Sequence, residues 1–129
     1  MSHLTFSYIK NRPMLMAKLG KDKTSARYFE FLIDSGSDYT LIPKSAATLI
    51  GIDYNHIPKQ KTKVETANLQ SINAKRTELH LDIRGEQLKI PVLVCEEEVE
   101  CLLGRKGVFE NFDITFQERA QQVIFRQSN

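Results

Sequence analysis

Asp34-Ser35-Gly36 places a carboxyl, a hydroxyl and a backbone position free of a side chain in immediate succession. The apolar Phe31-Leu32-Ile33 leads into it, and Ser37-Asp38-Tyr39-Thr40 and Leu41-Ile42-Pro43 follow. Further along, Leu102-Leu103-Gly104-Arg105 repeats the form of an apolar run that ends at glycine. Hydrolysis of an amide without a metal or a nucleophilic side chain needs one group to take a proton from water and another to give one to the amide. Two carboxyls within hydrogen-bond reach do both, because like-charge repulsion keeps one protonated while the other ionises. This chain carries one such motif. Asp22, Asp53, Asp82 and Asp113 lack both the apolar run and the Ser-Gly that follows, and read as turn or surface residues. The partner carboxyl is therefore expected from a second chain, since a two-fold axis brings a residue of one copy against the same residue of the other.

Other chemistries lose their support. His3, His56 and His80 are scattered without metal-ligand spacing, so neither a metal nor a cofactor is expected. A Gly-rich phosphate loop and a Gly-x-Ser-x-Gly elbow are both missing from the sequence. Cys95 and Cys101 allow at most one disulfide and read more simply as two reduced, partly buried thiols. The net charge of +2 comes from cations spread along the whole chain, which argues against nucleic acid as a partner. No apolar stretch approaches the ~20 residues of a membrane helix, and residues 1–13 mix polar and charged types where a signal peptide is apolar. The expected location is cytoplasmic.

Elements of one β domain must position the motif. At 129 residues, 41% hydrophobic and 26% charged, the chain suits a single domain over 1–129 with its core at about 14–126. Apolar residues recur mainly at period two, the spacing of a strand face, so the fold class is all-β. Met14 to Leu19 and Arg27 to Ile33 predict a hairpin around Gly20-Lys21-Asp22-Lys23. The second strand turns continuously apolar just before Asp34. Pro43 and Gly51 bracket a short helix over 44–50. A long hairpin follows, with strands at 61–66 and 71–83 and a turn at 67–70. Leu79, Leu81, Ile83, Leu88, Ile90, Val92 and Val94 alternate cleanly around a turn at Arg84-Gly85-Glu86. Glu96-Glu97-Glu98 reads as a solvated loop. A short helix over 106–111 and strands at 113–116 and 122–125 close the domain.

In this context Asp34-Ser35-Gly36 and Leu102-Leu103-Gly104-Arg105 make the chain resemble the retropepsin-like aspartic peptidases, the family that includes the retroviral proteases, over nearly all of 14–126. The resemblance implies a single-lobe acid-protease barrel with one or two short helices, acting on a peptide or protein as a homodimer. It makes Asp34 the catalytic aspartate, gives Ser35 a hydroxyl that cross-links the active-site loops, and makes Gly36 a point of close backbone approach. It further implies that Asp38 binds substrate backbone and pairs with Arg105 after Gly104, and that Ala67, Asn68 and Leu69 sit at a substrate-covering flap tip. Leu69 and Gln70 stand where relatives often have glycine, and Ser35 where threonine is also common. An alternative is a domain of this family that does not cleave and serves as a dimerisation or peptide-binding module. For the dimer, the strand around Val123, Ile124 and Phe125 is expected to offer an exposed apolar edge.

Overall fold

The computed structural model describes residues 3–58, 61–65 and 71–127. Strand β1 spans His3–Ser7, β2 Met14–Gly20, β3 Arg27–Ile33 and β4 Thr40–Pro43. They are followed by β5 Lys61–Glu65, β6 Ser71–Ile83, β7 Glu86–Cys95, β8 Leu102–Leu103, β9 Asp113–Gln117 and β10 Gln122–Arg126.

Alternation builds the barrel. Leu15, Ala17 and Leu19 of β2 turn inward, and Phe31 and Ile33 of β3 join them from the antiparallel neighbour. Asp22 closes this hairpin, its Oδ1 accepting the N–H groups of Thr24 and Ser25 at 3.0 and 2.9 Å. The β6–β7 hairpin pairs Ile83 with Glu86, leaving Arg84 and Gly85 at φ 47° and 93° as a two-residue turn. Positive φ at both positions gives the turn the twist that the flanking strands need. Leu79, Leu81, Ile83, Ile90, Val92 and Val94 are all buried, as their period predicts.

The strand order is β2-β3-β8-β4-β7-β6-β5, and β2 returns to pair with β6. Closure rests on three pairs, Lys18 with Asp82, Leu19 with Leu81 and Gly20 with His80. The result is an all-β, closed six-stranded barrel, with β5 carried outside it on β6. One α-helix, α1 at Lys44–Leu49, buries Ala46 and Ala47 against the barrel, and a 3₁₀ turn lies at Tyr54–His56.

Three expectations change. Strand β1, ahead of the anticipated core, pairs with β10, and β10 pairs with β9 on its other side. The strand holding Val123, Ile124 and Phe125 is thus the centre of a three-stranded sheet, not its edge. Val123 and Phe125 are fully buried within their own chain, where the ring of Phe125 meets those of Phe6 and Phe112 edge-on at 5.4 Å. The segment after Gly104 is not a regular helix. It kinks at Lys106 (φ −69°, ψ 124°) and Gly107 (φ 82°), where a Cβ at 107 would come within 2.5 Å of Ile90 Cγ2.

Candidate active site

The two runs that end at glycine lie side by side. Strands β3 and β8 are parallel, with Leu32 beside Leu102 and Ile33 beside Leu103. Leu32 N–H donates to Cys101 O at 2.9 Å and Asp34 N–H to Leu103 O at 3.0 Å, so the ladder continues to the carboxyl-bearing residue. There the chain turns sharply. Gly36 N–H donates to Asp34 Oδ1 at 2.9 Å, and Ser37 N–H to Asp34 O at 3.2 Å. Asp34 is partly buried at the strand end, while Ser35 and Gly36 are exposed. The Ser35 hydroxyl makes no hydrogen bond to the described residues of its own chain.

The second loop is fastened to the first through the main chain. Arg105 N–H donates to Ser37 O and Lys106 N–H to Asp38 O, both at 2.8 Å. Gly104 N–H donates to Thr40 Oγ1 at 3.2 Å, and Ser37 Oγ–H donates to Tyr39 O at 2.6 Å. A Cβ at Gly104 would overlap the carbonyl of Tyr39 and come within 2.8 Å of Ser37 O. This approach requires a residue with no side chain. Thr40 and Ser37 were not singled out from the sequence. Thr40 is fully buried, and a polar residue at an inward strand position is the signal that could have found it.

Asp38 and Arg105 lie on the two adjoining loops, where Arg105 N–H bonds Ser37 O and Asp38 O takes Lys106 N–H. Their charged ends form no ion pair, and both side chains line a cavity of 320 Å³ with Lys106, Phe109 and Glu110. The Tyr39 ring beside them has Arg76 and Lys106 within 5.4 Å of its centre. Ala67, Asn68 and Leu69 lie outside the described residues. The hairpin that leads to them is in place, with β5 and β6 antiparallel from Lys61–Lys75 to Glu65–Ser71.

Asp22, Asp53 and Asp82 each accept backbone N–H groups of their own turns. Cys95 and Cys101 are free thiols, each pushed by burial up to about 11, so neither is a ready nucleophile near neutral pH. Among the described residues, no three His, Cys, Asp or Glu are grouped to hold a metal ion. At the paired ends of β3 and β8 the carboxyl is that of Asp34. A lone carboxyl can hold a proton or accept one, and amide hydrolysis needs both acts.

The family model described as "gag-polyprotein putative aspartyl protease" matches residues 23–106, from the β2–β3 turn to the loop after Gly104. The chain belongs to that family. The fold of this aspartyl protease relative agrees with solved structures. A retropepsin-like aspartic protease from Rickettsia conorii superposes with a TM-score of 0.72 at 17% identity, covering 96% of this chain and 90% of that one. The EIAV protease, solved with the inhibitor HBY-793, gives a TM-score of 0.52 at 17% identity, covering 75% and 85%. No curated protein matches by sequence. Among the described residues, no helix is long and apolar enough to cross a membrane.

Proposed function

We propose that this chain is an aspartic endopeptidase whose active site forms when two copies bring their Asp34 carboxyls together around one water. The observation that carries the reading is the partly exposed Asp34 at the junction of two parallel strand ends, beside a Ser35 hydroxyl unengaged among the described residues. In the pair, one carboxylate takes a proton from water as it attacks the peptide carbonyl, and the other carboxyl gives its proton to the amide nitrogen. The Ser35 hydroxyls supply bonds between the paired loops, and Gly36 keeps its side of the loop clear. Asp38, four residues further along the same β3–β4 loop, holds substrate backbone in this reading. The family resemblance assigns residues 67–69 to the flap that covers the substrate. Activity then favours mildly acidic pH, because the dyad fails once its shared proton is lost.

A linked dimer tests this directly. With Asp34→Asn in one copy and wild type in the other, peptide cleavage followed by mass spectrometry is expected to fall nearly to zero, with the dimer intact. An amide keeps the shape of the carboxyl but cannot accept water's proton. Retention of about half the activity, the result for two independent sites, overturns the shared dyad. Cleavage by the doubly substituted dimer overturns Asp34 itself.

A further inference from the structure

Leu32 and Ile33, the last two residues before Asp34, are held from opposite sides. Ile33 N–H donates to Pro13 O and Leu32 N–H to Cys101 O, both at 2.9 Å. The residues preceding these two acceptors are Arg12 and Glu100, and their side chains meet. Arg12 Nη1 donates to Glu100 Oε1 at 2.7 Å and Nη2 to Oε2 at 3.0 Å, a two-pronged ion pair between residues 88 positions apart. Arg12 is fixed in turn by its main chain, which exchanges two 3.0 Å hydrogen bonds with Ile9 across a tight turn and accepts Met14 N–H at 2.8 Å. Glu30, on β3 itself, is the other carboxylate whose charge acts on this guanidinium.

We infer that Arg12 and Glu100 are positioning residues for Asp34: they tie the segments flanking β3 to each other and so fix the lateral placement of the strand end that carries the carboxyl. The inference rests on the dyad reading, in which two strand ends from separate copies must align to hydrogen-bond precision. Small displacements are costly there, since a shift of about 1 Å at a reacting group can lower the rate about a hundredfold. The pair is half exposed, with 48% and 39% of the side chains accessible, so its contribution to global stability is small. Its role is therefore separable from folding. The planar fork also matters, because lysine at position 12 would supply the charge without the two parallel bonds.

The test compares wild type, Glu100→Gln, Arg12→Lys and the exchanged pair Arg12→Glu with Glu100→Arg. Each single variant is expected to lower kcat by about tenfold with KM nearly unchanged, as for a change felt in the transition state. Melting temperature and dimer affinity should stay close to wild type, and the exchanged pair should recover most of the lost kcat. Amide hydrogen exchange supplies a reading that needs no catalysis. Leu32, Ile33 and Asp34 should exchange faster in the single variants, while Leu81 and Val92 in the barrel wall stay as they are. Unchanged kcat in both single variants, or a loss that the exchange fails to restore, overturns the positioning role. If the wild type cleaves no peptide, the protease reading fails. The amides then decide the clamp alone, and equal exchange at 32–34 in all four proteins overturns it.

Discussion

Thr40 shows how much a single oxygen can organise. Its hydroxyl takes the N–H of Gly104, a donor that is buried with it, across 64 positions of sequence. Thr40→Val keeps the shape and strands the donor, so urea unfolding should register a loss of about 1–3 kcal/mol, whereas Thr40→Ser should recover most of it. Asp34 was legible because its residue type, the apolar run before it and the Ser-Gly after it form one local pattern. Thr40 was not, because Tyr39-Thr40-Leu41-Ile42 reads as plain strand until one knows which loop lies against it. Asp38 and Arg105 were expected to meet through opposite charges. Instead Arg105 bonds Ser37 and Asp38 bonds Lys106, main chain to main chain, and such contacts carry no mark in the sequence. The two thiols add a pH effect of definite sign. Burial holds each folded pKa at about 11, above the 9.0 of the unfolded chain. Their contribution is thus complete below pH 9 and lost as pH rises toward 11, because there the unfolded chain binds fewer protons. Urea midpoints should fall between pH 8 and 10.5, and a Cys95→Ser, Cys101→Ser double variant should show a flatter profile.

Period two served well at the scale of elements. It located β2, β3, β6 and β7, because their apolar residues alternate or run together at the buried stretches. It missed β1, in which Phe6 alone is buried and Leu4 only partly so. That strand gains its place from β10, a partner more than a hundred residues away, and not from any pattern of its own. The same omission misled the reading of β10. With β1 absent from the picture, Val123 and Phe125 looked like an apolar edge in need of a second molecule; with β1 alongside, they are core. Phe6 joins the two, its ring against Phe125 at 5.4 Å and under the Arg84 guanidinium at 4.2 Å. Phe6→Ala should cost about 3–5 kcal/mol in equilibrium unfolding, the usual loss for a buried ring, if β1 is an integral part of the domain. A loss below about 1 kcal/mol would mean that β1 is dispensable.

Taken whole, the molecule is a closed barrel with a three-stranded sheet built from β1, β10 and β9. The all-β class followed from composition and alternation. Closure did not, since nothing local says that residue 19 will face residue 81. Under the proposed reading, specific activity should rise with chain concentration and then level off, as monomers give way to dimers. Activity per chain that is constant down to the lowest measurable dilution, in a protein that sediments as a monomer, would remove the dimer from the mechanism. The β2–β6 seam carries a further consequence, for how the barrel comes into being. The hairpins on either side of it, β2–β3 and β6–β7, join neighbours in sequence and can form early. The seam itself must draw together segments some sixty residues apart for three residue pairs of reward, so the entropy of closing that loop falls on the last step. Gly20 stands at that joint, where a Cβ would come within 2.5 Å of Ala26 Cα. A chain still open at the seam exposes the unpaired flanks of both hairpins, and so the time spent there, more than the depth of the final energy well, governs how readily newly made copies stick to one another in the wrong way.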